Sequence, residues 1–348
     1  MIESIEFTNF KALRKTTLPL SPFTLLLGPN GSGKSTVLQA IRLVATIAAK
    51  RLIPPRRMDQ VETTNWSISR SVTLDNRQDP IEIRLRLRID SQLLDATFDW
   101  KPGSEPGFQL RKTRGTVDQK EEMATLRWLS EMQVFTLHHS AIANLSPVSS
   151  RPLQASGAGL AAVLDDLKDN QPERWELLLA EMRQWLPEYD HIQFDKPEDG
   201  QKVLVLRTKK GQYRIPASAL SQGTLVALAL LTLAYLPEPP SLIGLEEIDR
   251  GLHPRLLRHL QDALYRLSYP ESCKETRAPI QVIATTHSPY LLDMYRDHPE
   301  EVVLAQKEGL EVKMNRLSEV PNYADIIGDS PLSEVWYSGV LGGATVKP

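Results

Sequence analysis

Hydrophobic and polar positions at the start of this chain alternate first with the period of a strand and then with that of a helix. IESIEF, residues 2–7, predicts a strand at the edge of a sheet. PFTLLLG, residues 22–28, predicts a short buried strand. The run that begins at Lys34 predicts a helix that ends near Arg51, before Pro54, because proline cannot continue a helix.

The pattern changes over residues 49–214. PIEIRLRLRID alternates strictly, with Arg84, Arg86 and Arg88 on its polar face, and LLDATFDW predicts a partner strand. The arginines allow two interpretations: the solvated face of a half-buried sheet, which the alternation favours, or a contact to a phosphate backbone. Further along, the pattern predicts a helix and a strand over 120–137, two helices over 156–189, and a hairpin turning at Lys210-Gly211.

From residue 215 onward, helix and strand periods alternate. LSQGT opens an apolar helix, SLIGL predicts a buried strand, residues 256–267 predict an amphipathic helix and QVIATT predicts another buried strand. This alternation is typical of a largely parallel sheet flanked by helices. The predicted fold class is therefore α/β. We expect a core formed by residues 1–48 and 215–348, with residues 49–214 as an insert that contains an antiparallel β lobe and a helical lobe.

Composition narrows the class of protein. The 348 residues have a formal net charge of −2 and a pI near 6.4, so any surface for nucleic acid must be a local patch. The single cysteine, Cys273, excludes an internal disulfide framework and a cysteine-built zinc site. No apolar run approaches the length of a membrane span, about 18 residues, and the charged start MIESIEF is unlike a secretory signal. We therefore expect a cytoplasmic protein with no membrane contact.

The motif GPNGSGKST, residues 28–36, carries the most specific chemistry. It satisfies G-x-x-x-x-G-K-[ST], in which glycines let several backbone N–H groups point at one phosphate. Lys34 is placed to reach the β- and γ-phosphates, and the Ser35 hydroxyl is placed to ligate Mg²⁺. A strand before the loop and a helix after it provide the required context. The predicted nucleotide contacts in the loop are Asn30, Gly31, Gly33, Lys34, Ser35 and Thr36.

Two later positions complement this loop. The strand LIGL ends in Glu246-Glu247, and phosphoryl transfer to water needs both a metal near the phosphates and a group that orients or deprotonates the water. We predict that Glu246 holds Mg²⁺ and that Glu247 is the base. His287 follows the strand QVIATT, where an imidazole can donate to a γ-phosphate or hold the attacking water. A lone histidine is more often structural, but this position after a second apolar strand favours the catalytic interpretation.

Taken in order, GPNGSGKS, LSQGT, LIGLEE and ATTHSP resemble the motifs of an ABC-type ATPase head of the RecF, SMC and OLD-like branch, which serves DNA maintenance and phage defence. The opening IESIEFTNFKAL is similar to the start of chains in that branch. The resemblance covers residues 1–50 and 215–295. It implies a P-loop ABC-type ATPase core, with ATP and Mg²⁺ as ligands.

The resemblance also implies roles for residues outside the loop. In that family the signature motif, here LSQGT, closes over the γ-phosphate bound to a second subunit. The implied assembly is a head-to-tail homodimer with two ATP molecules between the subunits. Ser221 and the backbone of Gly223 would make that contact, Asp249 would cross the interface, and Lys11 would lie near the nucleotide.

Three positions depart from the family pattern. Gln222 stands where glycine is usual, Thr224 stands where glutamine is usual, and Glu246 stands where aspartate is commoner. None of these changes removes a catalytic atom, and they make transport ATPases a poorer match. Gln133 is a candidate for the family's Q-loop glutamine.

Two features of larger members of the family are missing from this sequence. No heptad run between residues 49 and 214 predicts an SMC-type coiled-coil arm, and the residues after His287 are too few for the nuclease (TOPRIM) domain of OLD proteins. We therefore expect an ATPase head that acts with a separately encoded effector, such as a nuclease, or with DNA, in anti-phage defence or DNA repair. Two alternatives stay open: an ATP-switched sensor or scaffold with negligible turnover and, less favoured, the ATPase subunit of a transporter.

Overall fold

A computed structural model describes residues 1–53, 79–89, 92–101, 104–147, 152–197 and 200–323, together with 326, 328, 330–339 and 341. Pro54, which we expected to stop the first helix, lies outside these described residues. Contacts divide the chain into two compact units. Unit 1 consists of Met1–Val134, Pro240–Leu245 and Gln281–Pro348, and unit 2 consists of Phe135–Pro239 and Glu246–Ile280.

One layer of unit 1 is an antiparallel sheet with five strands among the described residues. In spatial order these are β2 (Leu13–Pro19), β1 (Ile2–Phe10), β4 (Ile81–Ile89), β5 (Gln92–Trp100) and β6 (Gly107–Lys112). The predicted pairing of PIEIRLRLRID with LLDATFDW is confirmed, since Leu85 lies opposite Ala96. The prediction that the first strand lies at an edge is wrong. β1 pairs with β2 on one side and with β4 on the other, and a local pattern cannot reveal a partner so distant in sequence.

The outward face of β4 carries three arginines, and each has a carboxylate beside it. The ion pairs are Arg84 with Glu6 at 3.3 Å and with Glu82 at 2.9 Å, Arg86 with Asp95 at 3.2 Å, and Arg88 with Glu3. The alternate residues of β4, such as Ile83 and Leu85, are buried on the other face. The arginines therefore belong to the solvated face of a half-buried sheet, where acidic neighbours neutralise them.

The other layer of unit 1 is a largely parallel sheet. Its strands in spatial order are β15 (Glu311–Arg316), β14 (Val302–Glu308), β3 (Phe23–Leu27), β13 (Gln281–Thr286), β12 (Leu242–Leu245) and β7 (Gln133–Phe135). β3 runs parallel to both β13 and β14, and β12 runs parallel to β13. Every residue of β3, β12 and β13 is buried, as expected for central parallel strands. Their carboxyl ends consequently face the same edge of the sheet.

Four helices complete the described part of unit 1. Helix α1 (Lys34–Leu52) ends where the sequence predicted, and its apolar residues join those of both sheets in one hydrophobic core. Helix α2 (Gln119–Ser130) packs on α1 and begins with a capping box at Asp118. Two short helices, α8 (Pro289–Asp293) and α9 (Leu332–Tyr337), contact each other.

Unit 2 contains helices packed with a small antiparallel sheet. The sheet pairs β10 (Gln201–Thr208) with β9 (Tyr189–Asp195), β11 (Arg214–Pro216) and β8 (Ser146–Pro147). The predicted hairpin turn is confirmed, because Thr208 N donates to Tyr213 O at 2.9 Å across Lys210-Gly211. The helices are α3 (His139–Ala143), α4 (Leu160–Asn170), α5 (Pro172–Trp185), α6 (Gln222–Tyr235) and α7 (Pro254–Ser268). Residues 224–234 of α6 are all buried, so this helix is the centre of the unit.

These elements confirm the predicted α/β class with both a parallel and an antiparallel sheet. The predicted division at residues 48 and 214 stays a prediction, since the two compact units are cut at other positions. Among the residues that the structure describes, no helix is both long and apolar enough to cross a bilayer.

A buried glutamine connects the two sheets of unit 1. The side chain of Gln281, at the start of β13, is 1 % exposed. Its Oε1 accepts from Ile2 N at 2.9 Å, and its Nε2 donates to Ile2 O at 2.7 Å and to Ser21 O at 3.1 Å. One amide thereby satisfies three backbone groups that would otherwise be buried without partners.

We predict that Gln281→Leu lowers the free energy of unfolding by about 2–4 kcal/mol, because the substitution leaves several buried backbone groups unsatisfied. Urea denaturation measures the change. Gln109→Leu, on the exposed face of β6, is the matched control and should leave the midpoint within experimental error. Equal midpoints for the two variants would show that the buried amide does not stabilise the sheet pair.

Candidate functional site

The loop of residues 28–36 leaves the carboxyl end of β3 and enters α1. Gly28 lies so close to β14 that an added Cβ would be 2.3 Å from Ala305 O. Gly33 is the N-cap of α1 with φ +90°, in the left-handed region that strains other residues. The glycine spacing that identified the motif thus has a steric basis at two positions.

The first turn of α1 is suited to an anion. Within the described residues no side chain caps this helix end, and its first turn contains no acidic residue. The N–H groups of a helix's first turn and the helix dipole together favour a phosphate there. Around this helix end Asn30, Gly31 and Ser35 are exposed, while Thr36 is partly buried.

Lys34 lies inside the loop and is 6 % exposed. Its Nζ donates to Gly28 O at 2.7 Å and to Pro29 O at 3.1 Å. These two carbonyls hold the ammonium group within the loop, so its charge is placed where the motif predicts a phosphate.

His287 lies on the same edge of the parallel sheet as the loop. β3 pairs with β13 so that Leu27 is opposite Thr286, and the next residues along the two strands are Gly28 and His287. His287 is exposed, and the turn that carries it is fixed by Ser288 N, which donates to Thr286 Oγ1 at 2.9 Å. The structure therefore brings His287 to the edge at which the phosphate loop begins.

The turn between β1 and β2 lies against the loop as well. Asn9 and Lys11 both have left-handed backbones, with φ of 56° and 52°. Lys11 Nζ donates to Gln39 Oε1 of α1 at 2.6 Å, and burial lowers the pKa of Lys11 below its ordinary value. A Cβ at Gly33 would lie only 2.9 Å from Leu13 Cδ2, which shows how closely β2 approaches the loop.

Glu246 has a partner in unit 2 that sequence reasoning did not identify. Its Oε2 accepts from Thr136 Oγ1 at 2.9 Å, and its N–H donates to Phe135 O at 3.0 Å. Thr136 directly follows β7. A polar residue at the end of a short apolar strand is the sequence feature that could have identified it as a site residue. Gln133, the candidate Q-loop glutamine, lies instead at the start of that strand, and its role stays a prediction.

Glu247 has a strained backbone. Its φ of 49° lies in the left-handed region, which costs a residue with a Cβ about 1–2 kcal/mol. The turn is closed by Arg250 N, which donates to Glu247 O at 2.9 Å, and Arg250 Nη1 lies 3.4 Å from Glu247 Oε2. Strain of this kind concentrates at functional sites, where the surrounding structure fixes a side chain in an uncommon direction.

The motif LSQGT forms the N-terminus of α6. Ser221 is the N-cap: its Oγ accepts from Thr224 N at 3.1 Å and lies 2.8 Å from Thr224 Oγ1. Ser221 is exposed, whereas Thr224 is buried. The motif therefore presents one hydroxyl and a helix N-terminus to the surface of unit 2.

A second turn of unit 2 packs directly on this motif. A Cβ at Gly223 would lie 2.5 Å from Gly251 O, and one at Gly251 would lie 3.0 Å from the side chain of Gln222. The turn begins at Asp249, whose carbonyl accepts from Leu252 N at 3.1 Å. Unit 2 thus brings together LSQGT and the predicted interface residue Asp249, and the unusual Gln222 covers Gly251.

The donor sets suit the predicted ligands. Ser35 and Glu246 offer a hydroxyl and a carboxylate, the hard oxygen ligands that Mg²⁺ prefers. The uncapped helix start, the glycine loop and the enclosed Lys34 suit the polyphosphate of ATP. The assignment of these residues to Mg²⁺ and ATP stays a prediction.

Elsewhere in the described part of the chain, His298, Glu300 and Glu301 lie near enough to one another to share a metal ion. They immediately precede β14, which runs parallel to β3. The group therefore lies at the amino edge of the parallel sheet, opposite the edge that carries the phosphate loop, and it is not part of the candidate site.

A family model described as "AAA domain, putative AbiEii toxin, Type IV TA system" matches residues 23–293. The chain is similar to the OLD nuclease of Thermus scotoductus, with 24 % identity over 85 % of this chain and 60 % of that protein. It is also similar to the chromosome partition protein Smc of Methanocaldococcus jannaschii, with 24 % identity over 68 % of this chain and 20 % of that protein. The chain thus spans less than two thirds of the length of these relatives.

Among solved structures, the chain resembles an SMC head bound to the C-winged helix domain of ScpA. The TM-score is 0.61 at 18 % identity, over 92 % of this chain and 98 % of the other. At this identity the likeness establishes the fold. Together these findings confirm the predicted resemblance to ABC-type ATPase heads of the RecF, SMC and OLD-like branch.

We predict that Lys34→Ala weakens ATP binding by about 100-fold, because the loop loses the charge-assisted hydrogen bonds that a lysine makes to phosphates. Isothermal titration calorimetry measures the change. Lys50→Ala, in the last turn of the same helix, is the matched control and should retain the native affinity. An unchanged Kd for a folded Lys34→Ala protein would contradict the assignment of this loop.

Proposed function

Because the chain belongs to the family of AAA domains whose model matches residues 23–293, we propose that it binds ATP with Mg²⁺ and hydrolyses it. The observation that carries this proposal is the loop of residues 28–36, with its two sterically required glycines, its enclosed Lys34 and the uncapped start of α1. The loop supplies the electrostatic stabilisation on which phosphoryl transfer depends.

In the proposed mechanism, Lys34 and the first N–H groups of α1 bind the β- and γ-phosphates. Ser35 and Glu246 hold Mg²⁺, which when bound neutralises charge on the phosphate oxygens. Thr136, by donating to Glu246, fixes the direction of that carboxylate. Glu247 takes a proton from the attacking water, and His287 donates a hydrogen bond to the γ-phosphate.

We further propose that two copies of the chain bind head to tail with two ATP molecules between them. Of the groups expected to act on a subunit's own ATP, Lys34 and His287 belong to unit 1, whereas Glu246 and Glu247 belong to unit 2. The groups expected to act on the ATP of the other copy, Ser221, Gly223 and Asp249, are packed together in unit 2. The proposal of a composite site is supported by the resemblance, because in that family LSQGT acts on the nucleotide of a second subunit.

We also propose that the ATPase is coupled to DNA or to a separately encoded effector such as a nuclease, in anti-phage defence or DNA repair. The similarity to a protein named as a nuclease supports this part of the proposal. The outward arginines of β4 add little to a DNA surface, because each is neutralised by a carboxylate.

A sensor with negligible turnover is the second candidate. The observation that favours it is an ion pair: Arg250 Nη1 lies 3.4 Å from Oε2 of Glu247, the predicted base. Measured ATP turnover, with and without DNA, separates the two functions.

We predict that Glu247→Gln lowers kcat at least 100-fold while ATP binding is retained, because general bases contribute about 10²–10⁴-fold to rate. Phosphate release measures turnover, and light scattering after size exclusion measures the ATP-dependent dimer, which the variant should accumulate. Glu271→Gln, an exposed substitution in the same unit, is the control. Hydrolysis at the native rate by Glu247→Gln would show that the base lies elsewhere.

We predict that tagged Glu247→Gln protein, isolated from its native host with ATP, retains an effector that Lys34→Ala protein does not, because only the former closes into the ATP-bound dimer. Quantitative mass spectrometry compares the two preparations. Equal recovery of every protein by both variants would count against an ATP-dependent effector.

A further inference from the structure

The hairpin of β10 and β11 carries a basic turn. Residues 207–214, RTKKGQYR, contain four basic residues and no acidic one, in a chain whose formal net charge is −2. The arginines at the two ends of this stretch are paired with carboxylates of β9. Within the described residues, Lys209 and Lys210 have no such partner, and both are exposed. In contrast to the arginines of β4, these two lysines keep their charge available for an anion.

An exposed aromatic ring lies on the same turn. Tyr213 is 70 % exposed. A Cβ at Gly211 would lie 2.3 Å from Tyr213 Cε2 and 2.8 Å from Cδ2, so the ring lies directly against the Cα of Gly211. Gly211 also has a φ of +84°, so both the turn and the ring require glycine at this position. The backbone thus supports one part of the ring while most of the residue faces solvent.

Thr208 fixes the backbone on which the ring rests. Its N–H donates to Tyr213 O at 2.9 Å, and Tyr213 N donates to Thr208 Oγ1, also at 2.9 Å. The same hydroxyl donates to Lys210 O at 2.9 Å. These hydrogen bonds order the basic turn before any partner arrives, which lowers the entropic cost of binding one.

A positioned aromatic ring beside two available ammonium groups suits one class of ligand. Lysines attract the phosphates of a nucleic acid, and an aromatic side chain offers a face on which a base can stack. The bases of a duplex are already stacked on one another, so an unpaired base is the one available to the ring. An acidic protein segment would use the lysines alone. The combination therefore favours single-stranded nucleic acid.

We propose that the basic turn binds single-stranded nucleic acid, with a base stacked on Tyr213 and neighbouring phosphates contacted by Lys209 and Lys210. This inference rests on the part of the proposed function that couples the ATPase to DNA, and it gives that coupling a surface. A 3₁₀ turn, Ala217–Ala219, joins β11 to the LSQGT motif. A nucleic acid bound at the basic turn is thus connected to LSQGT through a short stretch of chain within unit 2.

Fluorescence anisotropy of the full chain with labelled thymidine and uridine oligonucleotides tests the inference and compares DNA with RNA. Oligonucleotides of about 20 nucleotides exceed the roughly 4–16 that one small binding module covers. We expect Tyr213→Ala to weaken binding at least about fivefold, because a base stack is lost, whereas Tyr213→Phe keeps the ring and should stay within about twofold. Tyr337→Ala is the matched control with native affinity, since Tyr337 is also 70 % exposed.

The lysines are tested through salt dependence. For Lys209→Ala/Lys210→Ala, the slope of log Kd against log salt concentration should fall by about 1.4, because each phosphate contact to a single strand contributes about 0.7. Lys120→Ala/Lys274→Ala removes two exposed lysines outside the hairpin and should keep the native slope. All of these variants should keep the native Tm, since the side chains that they change are exposed.

Equal affinities for Tyr213→Ala and Tyr337→Ala would overturn the inference even where the native protein binds DNA. Binding of a duplex of the same length as tightly as the single strand would also overturn it, as would equally effective displacement by polyglutamate. No binding of either oligonucleotide by the native protein would overturn both the inference and the DNA part of the proposed function. Loss of binding by Tyr213→Ala, together with ATP turnover that DNA does not change, would support the inference and count against the coupling.

Discussion

The parallel pairing of β3 with β13 is the constraint on which the candidate chemistry of unit 1 depends. Because Leu27 lies opposite Thr286, the phosphate loop and His287 begin at the same level of one sheet edge. β12 runs parallel to β13 with Leu245 opposite Ala284, so its carboxyl end also faces that edge. Parallel strands can place functional loops together in this way because all of them end on one side. Gly28 also lies close to Ala305 O, so the backbone of β14 fixes the start of the loop as well.

Unit 2 is organised by a different constraint, the packing of two backbones. Gly223 and Gly251 O approach so closely that no side chain fits at Gly223. The signature-like helix start and the turn that begins at Asp249 are therefore held together within one unit. Gln222, which replaces the family's glycine, is compatible with this packing. Its side chain lies against Gly251, which has no side chain of its own to occupy that space. The departure from the family pattern at one position is thus matched by a glycine on the facing turn.

Much of the fold could be predicted from the sequence because local patterns determined it. The alternation in PIEIRLRLRID, the extent of α1 and the hairpin at Lys210-Gly211 depend on residues close in sequence. The position of β1 could not be predicted, because its second partner, β4, follows only after a long intervening segment. The same reason hid Thr136, whose contact with Glu246 joins residues 110 positions apart.

The candidate site has features that its sequence motifs did not predict, above all the conformation and the partner of Glu247. The glycine spacing identified the phosphate loop, yet nothing in the spacing indicated that Glu247 would adopt a left-handed backbone or that Arg250 would lie beside it. Strain of this kind suits the role proposed for Glu247, because it is retained only where the surrounding structure holds the residue in place. Its ion pair with Arg250 is exposed and therefore weak, so separating the two side chains costs little. Strain at Glu247 and a weak partner at Arg250 are together compatible with the proposed hydrolysis.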